Sequence, residues 1–182
     1  SKALSLTANK DSVVRGNSFT VTVTGEARTP YQLFVKGADA KSPMIAPGQT
    51  AVTYGAGGLE DDWNRSVTTN TGGTATIQFN TTQNTDNKAF TIRVEEKAPG
   101  TKSDEVKVRV EAGSVTITTS GTGAYYIGEE ITLSGTCTES EKVYFFMTGP
   151  NLNTDGTNLT QLRAVNPADA STFESTTVCA DD

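Results

Sequence analysis

Four segments of this chain carry apolar side chains at every second position with polar ones between them. Phe19, Val21 and Val23 alternate with Thr20, Thr22 and Thr24, and Ala75, Ile77 and Phe79 with Thr74, Thr76, Gln78 and Asn80. Phe90, Ile92 and Val94 alternate with Thr91, Arg93 and Glu95, and Val106, Val108 and Val110 with Lys107, Arg109 and Glu111. A β-strand sends successive side chains to opposite faces, so each segment offers one apolar and one solvated face. Antiparallel sheets of this kind pack their apolar faces together. No stretch keeps an apolar stripe at helical spacing for three turns. The pattern predicts an all-β chain of antiparallel β-sandwiches.

Tyr31 to Lys36 reads as a further strand with Leu33 and Val35 inward. Turn residues separate the segments at Arg15-Gly16-Asn17, Gly25 to Pro30, Thr71-Gly72-Gly73 and Ala98-Pro99-Gly100. The Gly-, Pro- and Ala-rich stretch from Gly37 to Trp63 is long for a structureless connection, which predicts an edge strand around Thr50 to Tyr54. Trp63 follows the acidic run Glu60-Asp61-Asp62 and is read as a lid over the core.

The pattern then restarts. Gly16 aligns with Gly128, Phe19 with Ile131 and Val21 with Leu133. An aromatic-apolar strand ending in glycine follows in each half, Tyr31 to Gly37 and Val143 to Gly149, and each half opens with a short strand, Leu4 to Thr7 and Val115 to Thr118. The repeat predicts two tandem immunoglobulin-like domains, 1–111 and 112–182, with the boundary near Ala112-Gly113. The second copy reaches Asp182 where its last two strands should begin. Two expectations follow: the chain is a fragment of a longer array, or the second domain borrows strands from a neighbour.

Threonine, with 31 residues, suits the solvent face of half-buried strands. The net charge of −6 argues against nucleic acid, which demands clustered Lys and Arg. No apolar run is long enough to span a bilayer, and the chain, beginning at Ser1, is expected to be mature or trimmed. Cys137 and Cys179 form no Cys-x-x-Cys pair, and without histidine a zinc site lacks ligands. They read as a structural disulfide, formed in an oxidising compartment, or as two buried thiols. Cys137 shares a strand face with Ile131, Leu133 and Gly135, so a bond to Cys179 would pin the last visible strand and stabilise the domain by about 3–4 kcal/mol.

The run Tyr126-Ile127-Gly128-Glu129-Glu130-Ile131, then Phe145-Phe146-Met147-Thr148-Gly149-Pro150-Asn151-Leu152 and Asp155-Gly156-Thr157-Asn158-Leu159-Thr160, resembles the repeated extracellular domains of surface proteins from methanogenic archaea. Thr69-Asn70-Thr71-Gly72-Gly73-Thr74-Ala75, followed by Phe90-Thr91-Ile92-Arg93-Val94, is similar to the same family. Those proteins look like S-layer or S-layer-associated components. The resemblance implies a fold and a location, not a catalytic residue.

No Ser-His or Cys-His nucleophile is possible without histidine. The doublets Glu60-Asp61-Asp62, Glu95-Glu96, Glu129-Glu130 and Asp181-Asp182 point to alternate faces when on strands, so they do not converge as an acid–base pair requires. The expectation is a non-catalytic protein. A calcium ion at the hinge is a minority reading, with oxygens from Glu111 and from Asp104, Glu129 or Glu130. Three sequons, at Asn64, Asn80 and Asn158, are about what composition yields by chance; each is a glycan site if the protein is secreted, Asn80 foremost.

The leading expectation is a secreted structural surface protein whose partners are other copies of itself or other envelope proteins. The alternative is an adhesin or carbohydrate-binding module using Tyr125, Tyr126, Tyr144 and Phe146, and a non-catalytic domain trailing an extracellular enzyme is a third possibility.

Overall fold

The structure is a computed structural model that describes residues 2–55, 62–97 and 102–178. It divides into two compact units, Ser1–Ala112 and Gly113–Asp182. Both are built of strands, and the described residues include a single short 3-10 turn at Ala170–Thr172.

Unit 1 contains β1 (Ser5–Ala8), β2 (Ser12–Val14), β3 (Ser18–Thr24), β4 (Pro30–Val35), β5 (Met44–Ile45), β6 (Val52–Thr53), β7 (Asn64–Thr68), β8 (Thr74–Asn80), β9 (Ala89–Glu96) and β10 (Ser103–Glu111). They form a four-stranded sheet in the order β1-β3-β8-β5 and a six-stranded sheet in the order β2-β10-β9-β4-β7-β6. This is an immunoglobulin-like sandwich. Its pairings are antiparallel except that β2 runs parallel to β10, with Ser12 opposite Arg109.

The alternation read from the sequence becomes the core. Val21, Val23, Ile77, Phe79, Ile92, Val94, Val108 and Val110 are completely buried, as is Leu33. Burial of each such side chain stabilises the fold by roughly 1.5–3 kcal/mol before entropy is counted. The solvent face of β3 and β8 pairs threonines across the strands, with Thr22 opposite Thr76 and their hydroxyls 3.3 Å apart. β6 lies in the predicted edge segment and pairs with β7, and Trp63 packs against the core from its rim.

Unit 2 contains β11 (Val115–Thr119), β12 (Leu133–Cys137), β13 (Lys142–Phe145) and β14 (Glu174–Thr177). β11 pairs only with β12, and β13 only with β14, among the described ladders. The plan repeats that of unit 1 down to register. Leu6 faces Val23 in unit 1, and their counterparts Ile117 and Gly135 face each other in unit 2. Gly16 and Gly128, aligned by the repeat, both adopt positive φ, +92° and +90°, where a Cβ is disfavoured. β11, β12 and β13 thus stand for β1, β3 and β4, and β14 pairs antiparallel with β13 as β7 and β9 do with β4. Strands standing for β8, β9 and β10 are not among those described in unit 2.

Candidate functional site

The two strand pairs of unit 2 enclose a groove of about 470 Å³, walled by Val115, Ile117 and Leu133 on one side and by Val143, Phe145 and Phe146 on the other. Counterpart residues measure how open it is. Leu6, Phe19 and Val21 of unit 1 are at most 4% exposed, whereas Ile117, Ile131 and Leu133 of unit 2 are 56%, 43% and 39% exposed. The same apolar face is made twice and covered once.

At the β13 wall, Phe173 gathers two of the four aromatic residues singled out in the sequence. Its ring meets Tyr144 at 6.0 Å and Phe146 at 6.1 Å between centroids, both edge to face. Tyr144 and Phe146 remain 44% and 52% exposed. Lys142 Nζ lies 5.4 Å from the centre of the Tyr144 ring. Tyr125 instead serves the β11–β12 connection, donating its hydroxyl to the Ser120 carbonyl at 2.5 Å, while Tyr126 stands almost fully exposed in that connection. Sequence reasoning missed Phe173 because an isolated aromatic between Thr172 and Glu174 has no periodicity around it.

The long connection from β13 to β14 folds over itself around Thr157 and Asn158, each 1% exposed. Thr157 exchanges two backbone hydrogen bonds with Met147, both 2.8 Å. The Asn158 side chain donates to the Thr172 carbonyl at 2.8 Å and accepts from the Thr160 and Gln161 amides at 3.0 Å each. Both ends of that sequon amide are therefore engaged inside the protein. Asn80 lies at the end of β8, half-buried, with its carbonyl oxygen accepting from Ser18 Oγ and Gln78 Nε2 at 2.9 Å. Asn64 lies on β7, where its side-chain oxygen accepts from Gln32 Nε2.

Cys137 is buried at the end of β12. Cys179 lies outside the described residues, as do Glu60, Asp61, Asp181 and Asp182. Of the carboxylates proposed for calcium, Asp104 accepts the Leu6 amide at 2.8 Å and Glu129 the Tyr126 amide at 2.9 Å. Glu111 lies 3.6 Å from Arg109. Glu130 is exposed on unit 2, and among the described residues no three His, Cys, Asp or Glu side chains gather as a metal site requires.

One charged cluster of unit 1 is well defined. Glu105 accepts from Lys36 at 3.0 Å and from Arg93 at 2.8 Å, and Arg93 also pairs with Glu95 at 2.6 Å. These hydrogen bonds, Lys36 first, hold the Glu105 carboxyl below its ordinary 4.5. A carboxylate with a lowered folded pKa contributes stability above its unfolded value, and loses that contribution as pH falls through the folded value. Glu105→Gln is therefore expected to lower the urea midpoint slightly at pH 7. The gap to the unsubstituted chain should close as pH is taken well below 4.5. A gap unchanged over that range would show that the carboxylate does not act as an ion-paired group.

No protein-family model matches the chain, and no curated protein matches it in sequence. Several solved structures share parts of its shape, three of which follow. The bacterial hydrophobin BslA aligns at TM-score 0.40 with 15% identity, over 60% of this chain and 99% of its own. Self-complemented MyfA, the major Myf fimbrial subunit of Yersinia enterocolitica solved with galactose, aligns at TM-score 0.34 with 13% identity, over 61% and 98%. A type II cohesin domain from the cellulosome of Acetivibrio cellulolyticus aligns at TM-score 0.34 with 12% identity, over 62% and 91%. These are loose likenesses between β-proteins, and none carries a function to this chain.

Proposed function

We propose that this chain is a secreted, non-catalytic structural module of a cell-surface layer, in which immunoglobulin-like sandwiches repeat along the polypeptide as spacers. The observation that supports this reading is the repetition itself. One strand plan with one register recurs in two units, and only Ala112, Gly113 and Ser114 lie between β10 and β11. A chain that spends its length on copies of a scaffold is suited to extension and lateral contact, because each copy offers equivalent surfaces at intervals. Its partners on this reading are further copies of itself or other envelope proteins. The resemblance of its sequence to surface proteins of methanogenic archaea supports reading that layer as an S-layer or S-layer-associated one.

A second reading rests on the ring cluster of Tyr144, Phe146 and Phe173. Exposed aromatic faces beside an apolar groove suit an adhesin that binds a sugar or a protein. The two readings part in immuno-electron microscopy of the native envelope with an antibody raised against this chain. Dense, regularly spaced label over the whole surface is the expected result. Sparse or patchy label would sink the surface-layer reading and direct attention to the aromatic cluster.

A further inference from the structure

We propose that unit 1 is built to bear tension along the polypeptide, with the parallel pair of β2 and β10 as its clamp. The inference stands on the topology of unit 1 and not on the surface-layer reading. It takes nothing from unit 2 beyond the covalent link.

The chain enters unit 1 through β1 and β2 and leaves it from β10, so tension along the chain is applied to these strands. β2 and β10 run the same way. Tension therefore draws β2 from its first residue and β10 from its last, in opposite directions along one axis. The pair is sheared, and its hydrogen bonds are loaded together rather than one after another. Had β2 run antiparallel to β10, the pulled ends would lie side by side and the pair would unzip.

The ladder is closed at both ends. The Arg109 amide donates to the Asp11 carbonyl at 2.9 Å, and the Arg15 amide donates to the Glu111 carbonyl at 2.8 Å. Bonds between parallel strands are evenly spaced, with alternate residues turned to the same neighbour. Val13, midway between Asp11 and Arg15, therefore presents its N–H and carbonyl to β10. Val13 and Val110 opposite it are both buried, where a hydrogen bond is stronger than in water. β10 is held on its other edge as well, the Val110 amide donating to the Lys88 carbonyl at 2.9 Å.

Strand order makes this ladder the decisive one. Tension from the N-terminal side meets β1 first, paired with β3 at four positions from Ser5 to Ala8. Release of β1 frees only the link to β2 and leaves the β2–β10 ladder closed. Release of β2 is different. The load then passes to β3 at Ser18, just past the turn at Gly16 and Asn17. Val14, which ends β2, lies opposite Glu111, so Ser18 and the end of β10 share one end of the sandwich. Pulled from that shared end, the two sheets are peeled apart bond by bond.

The test is single-molecule force spectroscopy on the whole chain. Handles are placed at its two ends and, in a second attachment, at the exposed Asn17 and the C-terminal end. Opening of unit 1 is recognised by its length, since freeing Ser12 to Glu111 extends the chain by on the order of 300 Å. Unit 2, with fewer residues, gives a shorter step. Forced unfolding follows the unfolding barrier, so the direction of pull matters even though the folded state is the same. End-to-end pulling is expected to open unit 1 at severalfold higher force than pulling from Asn17. Val13→Pro, which removes a donor from the ladder, should lower the end-to-end force and leave the force from Asn17 unchanged. Equal forces from the two attachments would overturn the proposal, and that comparison requires no substitution within the ladder. Loss by the same factor in both directions for Val13→Pro would overturn it too, because β2 would then act through overall stability alone.

Discussion

Replacing Phe79 with alanine is expected to cost unit 1 about 3–5 kcal/mol, the range for removing a buried aromatic ring. Phe79 is completely buried and sits directly across from Phe19, its ring stacked on Phe19 at 5.4 Å with the planes 4° apart. The pair fills the layer between the two sheets near one end of β3 and β8. Neither strand can collapse into the space, because seven consecutive cross-strand pairs fix their separation. The loss should appear as a fall in the thermal midpoint on the order of 10 °C or more. Trp63, the one tryptophan, packs against this core, so its fluorescence reports unit 1. Phe79→Leu should recover part of the loss, because it returns apolar volume without the stacked ring. A loss below about 1 kcal/mol in Phe79→Ala would mean that the layer is not close-packed around this ring.

The core of unit 1 was legible because its strands are long enough to show a period. β3, β8, β9 and β10 run for seven to nine residues, and their inward faces read from the sequence are the buried ones. β2, β5 and β7 were not legible. Ser12-Val13-Val14 and Met44-Ile45 are too short to alternate, and β7 buries the adjacent residues Ser66 and Val67 together. The parallel pairing of β2 with β10 could not be read either, since alternation fixes a face but not a direction. In unit 2 the repeat revealed the plan, down to Gly16 and Gly128 sharing a backbone conformation. The ring cluster was half visible: Tyr144 and Phe146 share a strand face by position, but Phe173 is reached only through a long connection that no local pattern describes. The burial of Asn158 was likewise hidden, because a sequon does not disclose where its amide points.

Gly73→Ala is expected to cost about 2–5 kcal/mol, a backbone penalty and a steric one added together. Gly73 has φ of +82°, a conformation in which a Cβ crowds the following carbonyl. A Cβ there would also lie 2.4 Å from the Gly25 carbonyl oxygen, closer than any real contact. The Gly25 backbone has no room to retreat. Its amide donates to the Gly73 carbonyl at 2.8 Å, and its other side lies against the Tyr31 ring, where a Cβ would come within 2.5 Å of the hydroxyl oxygen. That hydroxyl in turn accepts the Glu26 amide at 2.9 Å. The turn before β8, the chain after β3 and a buried tyrosine are thus locked in sequence, which gives the Asn70-Thr71-Gly72-Gly73 run its physical reason. Gly37 separates the two penalties. It too has positive φ, +61°, but a Cβ there meets nothing within 4 Å. Gly37→Ala should therefore cost only the backbone share, about 1–2 kcal/mol. Urea unfolding followed by Trp63 fluorescence measures both variants against the unsubstituted chain. Equal losses would refute the close approach at Gly25, while a clearly larger loss for Gly73→Ala places the difference in that contact.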